Sequence, residues 1–363
     1  MPFCARRCVY CDFSIAVRTR VPVDEYLQAL EREWTARHRE SEFVLSTVYL
    51  GGGTPSKLGG DGVARLLDLV RRKAKLQSDA EITIEANPED VSPDSVQAWR
   101  NAGVNRVSLG VQSFDDAVLA WMHRTHEART AHTAVQVLRE TGLDNLSIDL
   151  IFATPPAVSR SWQRDIDSAL RLELPHLSLY GLTVEEHTPL GRWVARKDLA
   201  EAPEEAFERE YLFAHQRLIS AGFEHYEVSN YGRPGRHSRH NWAYWDRRPY
   251  GGIGPSAHEF DGRVRRWNTA PYADWVTRAS RREDPAQGSE ELAGAQALAE
   301  QVYLSLRTSQ GVTLSEAERA HAAPWIDAGW ATMDDVGHLR LTGAGWLRLD
   351  SLAGALTLLR SRY

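Results

Sequence analysis

The chain alternates short β-branched runs with longer stretches whose apolar residues recur at helical spacing. "VDEYLQALEREWTARH" (23–38) has that spacing and predicts a helix. "STVYLGGGTPS" reads as a strand closed by a Gly-rich turn, and "GDGVARLLDLVRRKA" as the helix after it. The strand "EITIEANP" follows, then a helix near 93–102 and the strand "VNRVSLGVQS". Helices near 115–122 and 130–141, the strand "NLSIDLIF", a helix near 161–171 and the strand "HLSLYGLT" complete the series. Strand, crossover helix and strand in this repetition mean an α/β fold with a parallel sheet and helices outside it. The strands end in polar or Gly residues at their C-terminal edge, where barrel-like folds build sites. A doubly wound sheet and a barrel both fit this pattern.

Beyond the last of these strands the rhythm changes. "ARKDLAEAPEEAFERE" (195–210) reads as a charged surface turn leading into a helix. From about 290, "ELAGAQALAEQVYLSLRTSQGV" is an amphipathic helix ending at Gly311. Short helices and a hairpin-like pair around "DDVGHLRLT" make this end resemble a winged-helix fold. It is not notably basic, so packing against the barrel or docking a recipient protein is expected there, not nucleic-acid binding. No internal repeat or low-complexity linker interrupts the chain.

Composition narrows the class. With 363 residues the chain accommodates one large domain and a smaller one, and 42% hydrophobic with 25% charged residues is ordinary for a soluble globular protein. The longest apolar runs, such as "LSIDLIFA", are too short to span a bilayer, and no charged-then-apolar leader is visible, so a cytoplasmic protein is expected. A net charge of −6 argues against a general polyanion binder. The basic run "RRKAK" (71–75) reads as a solvated helix face.

The chemistry is concentrated at the start. The chain has three cysteines, and Cys4, Cys8 and Cys11 are all of them. An odd set packed this tightly makes no internal disulfide framework. A bland loop, a zinc site and an iron–sulfur cluster remain. Zinc usually takes four ligands, and here there is no second Cys pair and the nearest His is His38. A cubane [4Fe–4S] cluster takes thiolates from such a loop and, with three of them, keeps one iron free to bind a small molecule.

Polar groups at the strand ends add to this. Gly51, Gly52 and Gly53 let a backbone approach a ligand closely, and Thr54 supplies a hydroxyl. Glu85 ends "ITIE", Gln112 ends "SLGVQ" and Asp149 sits inside "LSIDLIF". A carboxylate within an apolar strand must be paired or face a cavity.

Cys-x₃-Cys-x₂-Cys followed by "GGGTPS" resembles the radical S-adenosylmethionine superfamily. The resemblance implies a partial (β/α)₆ parallel barrel carrying a [4Fe–4S] cluster on Cys4, Cys8 and Cys11. S-adenosylmethionine would chelate the open iron, and reduction would cleave it to a 5′-deoxyadenosyl radical. It further implies that Tyr10 lies against the adenine and that Gly52, Gly53 and Thr54 hold the aminoacyl end. Glu85, Gln112 and Asp149 would meet the amine and ribose, and Arg124 in "WMHRTH" the carboxylate. Two positions depart from the family. Only Met1, Pro2 and Phe3 precede Cys4, where a strand is normally found, and a start assigned too late is the expected reason. "IFATPP" (151–156) stands where relatives show Gly-Leu-Pro, so a different local loop shape is expected.

"HYEVSNYGRPGRHSRHNWAYWDRRPYGGIGPSAH" (225–258) is the richest aromatic and His stretch. "HNWAYW" (240–245) matches the HNxxYW motif of HemW-type haem chaperones, which resemble oxygen-independent coproporphyrinogen III dehydrogenases. The dehydrogenases carry a fourth Cys two residues after the third, a position that is Phe13 here. The resemblance therefore implies haem binding and transfer to an acceptor protein, with radical-SAM oxidative decarboxylation of a porphyrinogen as the alternative. His240 is the haem-binding candidate and His237 the weaker one, with Arg236, Arg239 and Arg247 available to propionates. A flavodoxin or ferredoxin as electron donor and a transient membrane-protein acceptor belong to the same expectation. The expected organisation is a barrel over 1–230, a connecting segment with the motif over 231–289, and a C-terminal helical, winged-helix-like domain over 290–363.

Overall fold

The computed structural model describes residues 1–38 and 43–361. Strands β1 (Phe3–Cys4) and β2 (Ala16–Val17) pair in parallel on either side of the remaining cysteines. Helix α1 (Val23–Arg37) leads to β3 (Val44–Leu50), β4 (Lys75–Ala86), β5 (Arg106–Gln112), β6 (Leu146–Phe152) and β7 (His176–Gly181), each parallel to the next. Helices α2 (Gly59–Lys73), α3 (Pro93–Asn101), α4 (Asp116–Trp121) with α5 (Ala128–Glu140), and α6 (Trp162–Arg171) make the crossovers. After α7 (Pro189–Ala195) and α8 (Glu204–Ser220), a hairpin of β8 (Glu224–Glu227) and β9 (Asn230–Gly232) joins the edge of β7 antiparallel. The sheet order is β3-β4-β5-β6-β7-β9-β8, curled into a half-barrel. This is the partial parallel barrel that the superfamily resemblance implied, and it decides between the two architectures the strand–helix rhythm left open.

The alternation along these strands is inverted relative to an ordinary core. Val48, Ile82, Ile84, Val107, Leu109, Ile148, Leu150, Leu177 and Leu179 are buried and join one core cluster with Leu66, Trp99, Leu138 and Ile166 of the surrounding helices. Fully burying such a side chain is worth about 1.5–3 kcal/mol. The residues in the other phase are polar: Tyr49, Thr83, Glu85, Ser108, Ser147, Asp149 and Ser178. The register sets several of them side by side, with Tyr49 opposite Thr83, Glu85 opposite Ser108 and Asp149 opposite Ser178. The lumen of the half-barrel is therefore a polar chamber with an apolar outer face.

Two further units follow. The segment with α9 (Arg239–Trp245) carries a three-stranded antiparallel sheet of β10 (His258–Phe260), β11 (Val264–Asn268) and β12 (Ala286–Glu291), with α10 (Tyr272–Ser280) inserted. The hydrophobic pattern gives no sign of this sheet. The C-terminal part holds α11 (Gly294–Arg307), β13 (Val312–Thr313), α12 (Glu316–Asp327), a hairpin of β14 (Ala331–Met333) and β15 (His338–Leu341), α13 (Gly343–Trp346) and α14 (Leu349–Arg360). The hairpin falls where "DDVGHLRLT" placed it. Among the described residues no helix is long and apolar enough to cross a membrane.

One buried carboxylate fastens α1 to the later chain. Glu33 is fully buried and accepts from Gly254 N (3.0 Å), Asn268 Nδ2 (2.6 Å) and Trp275 Nε1 (2.8 Å), with Arg37 Nη1 at 3.4 Å. Glu33→Ala leaves the Gly254 and Trp275 N–H groups without their acceptor, while Arg37 keeps Asp284 (2.8 Å) and Asn268 (2.7 Å). It should lower stability by about 1–3 kcal/mol for each buried donor left unpaired, measured from the urea unfolding midpoint.

Candidate functional site

A cavity of about 450 Å³ opens at the C-terminal ends of the parallel strands. Cys4, Cys8 and Cys11 form one wall of it. Their loop is tied in place from several sides. Gly53 N donates to Met1 O (2.7 Å) and Thr54 N to Phe3 O (2.8 Å), which binds the loop to the end of β3. Val9 N donates to Met122 O (3.3 Å) beyond α4, and Leu190 N of α7 donates to Val9 O (2.9 Å). Arg7 reaches over to the carbonyls of Cys11 and Phe13. Thr54 Oγ1 donates to Cys4 Sγ (3.3 Å), and Arg124 Nη1 lies 3.5 Å from Cys8 Sγ.

Burial raises the pKa of the Cys4 thiol, and it pushes that of Cys11 up to about 11; neighbouring cysteines add to both shifts. Three thiolates in one half-buried loop repel one another unless a cation neutralises them. A metal centre spread over all three relieves that cost, so this donor set fits a cluster.

Beside Cys4, the Gly-rich turn makes room for the backbone of the cysteine loop itself. Gly52 has φ +113°, and a Cβ there would lie 2.6 Å from the Met1 carbonyl oxygen. A Cβ on Gly53 would lie 2.9 Å from the Phe3 carbonyl oxygen and 3.1 Å from Cys4 Sγ. The cysteine loop can lie against β3 only because these side chains are absent.

Gly52 N donates to Glu85 Oε2 (2.9 Å), while Tyr49 OH donates to Glu85 Oε1 (2.7 Å). Burial, with Asp149 nearby adding to it, pushes Glu85 up to about 7. Asp149 accepts from Ser108 Oγ (3.2 Å), and burial pushes it up to about 6. Two carboxyls that are costly to ionise thus face the cavity, suited to a cationic amine or to hydroxyl donors.

The structure brings Tyr10, Gly52, Gly53, Thr54, Glu85, Gln112, Arg124 and Asp149 to this cavity, while Gly51 lies against the Tyr49 ring, outside the lining. Tyr10 packs on an apolar bed of Val118, Met122 and Ile151. Gln112 has φ +69° at a register shift between β5 and β6, which turns the chain at the strand end. Arg124 Nη2 donates to Asn87 Oδ1 and Gly110 O, both at 2.7 Å, and its Nε is buried without a partner among the described residues. Asn87, Ser108, Tyr180 and His123 also line the cavity and were not singled out from the sequence. Their only advance signal was position at a strand or helix end. The unusual loop "IFATPP" places Ala153 at φ +57°, with its N–H on Glu210 Oε2 (2.8 Å).

His240 lies apart from the cavity lining. It sits on α9, whose Arg239 and His240 N–H groups donate to Glu81 (3.3 and 3.1 Å) inside the half-barrel. His240 Nδ1 meets Thr47 Oγ1 (2.8 Å), Nε2 meets Tyr244 OH (2.8 Å), and the ring stacks on Tyr49 at 4.8 Å. Both nitrogens are therefore engaged. His237 is engaged as well, by Glu224 and Trp242. Of the three basic neighbours, Arg239 meets Asp79 and Arg247 meets Glu300, while Arg236 is exposed.

Burial, with the Arg106 charge adding to it, pushes His240 down to about 4 from an ordinary 6.5. The unfolded ring takes a proton as pH falls below 6.5 and the folded ring only near 4, so acidification in that window favours unfolding. The stability due to neutral His240 should be complete above 6.5 and lost on falling to about 4. Its ring should remain neutral by NMR at about pH 5, and His240→Gln should flatten the stability decline in this range.

Comparison with known proteins places the chain. Residues 1–163 match the model of the Radical SAM superfamily. The chain is 40% identical to haem chaperone HemW of Mycobacterium tuberculosis strain H37Rv, over 98% of this chain and 93% of that protein. It is 34% identical to haem chaperone HemW of Bacillus subtilis strain 168, over 86% and 83%. For haem chaperone HemW of Escherichia coli strain K12 the identity is 38%, over 73% and 71%. Among solved structures, coproporphyrinogen III oxidase (HemN) of Escherichia coli, described as a radical SAM enzyme, has the same fold. Its TM-score is 0.82 at 21% identity, covering 98% of this chain and 88% of that one. With identities of this size over nearly its whole length, the chain belongs to the HemW family of the radical SAM superfamily.

Proposed function

We propose that this protein binds haem and hands it to an acceptor protein, using a [4Fe–4S] cluster and S-adenosylmethionine held in the strand-end cavity. The observation that supports the cofactor part is that three thiols, Gly52 and the buried Glu85 carboxyl it donates to all line one cavity. Similarity to proteins named haem chaperones over 98% of the chain supports the haem part.

Cys4, Cys8 and Cys11 would each take one iron. The backbone of Gly52 and Gly53, with Thr54, would border the aminoacyl end of S-adenosylmethionine, and Glu85 would accept from its amine. Arg124 would meet its carboxylate, Tyr10 its adenine, and Gln112 and Asp149 its ribose. When bound, the pair supplies one-electron chemistry. The chain's own residues bind, orient and shield it. His240 stays the haem candidate of the HNxxYW motif, and meeting iron would require it to release Thr47 or Tyr244. The same reading puts the protein in the cytoplasm and in porphyrin metabolism. It gives a flavodoxin or ferredoxin as electron donor and admits a membrane protein as transient acceptor.

The fold shared with HemN favours a second reading, oxidative decarboxylation of a porphyrinogen. Phe13 weighs against it, standing exposed on the cavity rim in place of the fourth cysteine of the dehydrogenases.

Anaerobic reconstitution should load iron and sulfide into the native chain, and Cys8→Ala should abolish the cluster absorbance. Retention of cluster iron by that variant would remove Cys8 from the ligand set. Stoichiometric haem binding without loss of propionate carboxyls from coproporphyrinogen is the expected outcome of a parallel titration and assay. Decarboxylation with 5′-deoxyadenosine release and no haem binding would make the protein an enzyme instead.

A further inference from the structure

The cysteine loop has an outer face as well as the inner one that lines the cavity. The first 20 residues carry four arginines, Arg6, Arg7, Arg18 and Arg20, against one acidic residue, Asp12, in a chain of net charge −6. All five are exposed, and none of the arginines has an ion pair among the described residues. Arg7 donates to the carbonyls of Cys11 (3.3 Å), Phe13 (3.4 Å) and Ile15 (3.5 Å), and Arg18 to that of Val17 (3.0 Å). Neutral carbonyls leave both charges uncompensated. The carboxylates that follow in the chain are taken, Asp24 by Arg65 (2.6 Å) and Glu25 by the Tyr272 hydroxyl (2.7 Å).

Two large apolar side chains stand out of the same loop. Phe13 is 57% and Val17 46% exposed. The pairing of β1 with β2 sets Val17 beside Cys4, and Arg18 N donates to Cys4 O (2.9 Å). Arg7 immediately precedes Cys8, and Phe13 stands just beyond Cys11. Exposed apolar and arginine side chains are thus interleaved with all three thiols. An exposed aromatic among arginines has the composition of an interface hot spot. One loop is too small for a permanent interface. It suits the transient contacts of electron carriers, which bury less than about 1,200 Å² in total.

Charge decides the occupant. Four unpaired arginines attract an acidic partner, and the rest of a net negative chain repels it. The connection from β7 to α7 carries the opposite sign on the cavity rim. Glu185 lines the cavity, Glu186 follows it, and both are exposed without an ion pair among the described residues. A charged partner is therefore oriented as well as attracted. A second copy of this chain meeting this one through the same face would set arginine against arginine. The thiols belong to the loop, so a carrier docked on its outer face stands against the backbone that bears them.

We propose that the outer face of the cysteine loop docks an acidic one-electron carrier protein, with Phe13 and Val17 as apolar anchors and Arg6, Arg18 and Arg20 as steering charges. This rests on the cluster reading above and names the surface through which its electron arrives. One electron leaves the reduced carrier, which is oxidised, and passes to the iron–sulfur centre, which is reduced. No atom is transferred.

The test is calorimetric titration of oxidised flavodoxin into the full, anaerobically reconstituted chain, with cluster iron as the folding control. Binding should weaken as salt rises. Arg18→Glu combined with Arg20→Glu should lower affinity roughly tenfold or more at low salt, and Phe13→Ala roughly fivefold or more. Arg18→Lys with Arg20→Lys should bind as the native chain does. Cluster reduction by reduced flavodoxin should slow in step with the lost affinity, while photoreduction by 5-deazariboflavin, a small neutral donor, keeps its rate. Equal flavodoxin affinity in the native and charge-reversed chains would overturn the proposal and leave the cluster reading standing. Charge-sensitive binding to phosphatidylglycerol vesicles, or charge-sensitive self-association, without flavodoxin binding would overturn it equally. Failure of the native chain to take up a cluster would bring down the reading and the proposal together.

Discussion

The polar lumen of the half-barrel is the constraint from which the rest follows. Five parallel strands give their apolar residues to the helices and turn hydroxyls, carboxyls and a guanidinium inward. Buried polar groups are tolerable only when paired or when they face a ligand. Near the strand starts they are paired by α9, whose first N–H groups sit on Glu81 and whose His240 bonds Thr47. At the strand ends they are left to the cavity, where Glu85 and Asp149 are held neutral more readily than free carboxyls. The same inward row is thus closed at one end by the protein and open at the other to the cavity.

α9 also explains why the C-terminal part stays attached. Arg307 of α11 pairs with buried Glu227 (2.9 Å) and lies over the Trp245 ring (4.4 Å), while Glu300 receives Arg247 and Arg265. Tyr244 packs edge-on against Tyr250, which bridges to Phe260 of β10. Most of the HNxxYW residues are therefore already committed to the fold. His240 and Tyr244 seal the half-barrel, Trp242 stacks on Tyr226, and Trp245 receives α11. Paired buried groups of this kind resist exchange for an incoming ligand, because each bond given up leaves an orphan behind.

The legible parts of the chain were those where one residue type recurs at a fixed interval. The parallel strands were readable because their outward face is apolar and β-branched, and the cysteine loop stood out because three thiols in eleven residues have few uses. The strands "VRRWN" and "AQGSEE" carry no alternation of hydrophobic residues, so β11 and β12 were invisible; the residues that meet across them include charged pairs such as Arg265 and Glu290. Tyr49 and Asn87 were missed because each acts through a neighbour, on Glu85 and Arg124 respectively. "WMHRTH" drew attention to Arg124 but not to His123, since a left-handed φ after a six-residue helix leaves no mark in periodicity.

Tyr49 joins the two ends of the lumen. Its hydroxyl is on Glu85 at the cavity end, and its ring is stacked on His240 at the closed end. Gly51 permits this, since a Cβ there would lie 2.6 Å from the Tyr49 ring. A donor placed at Glu85 Oε1 would compete with the Tyr49 hydroxyl, whose ring is stacked on His240. Coupling of this sort is reciprocal: whatever the occupant of the cavity does to the packing of α9, a ligand that moves α9 does to the affinity of the cavity. Arg106 is 3% exposed, and its guanidinium has no hydrogen bond or ion pair among the described residues. Its charge reinforces the link through space, favouring ionised Asp149 and neutral His240 together. The strand-end cavity and the HNxxYW helix are in this sense two faces of one electrostatic unit, built from side chains of adjacent strands.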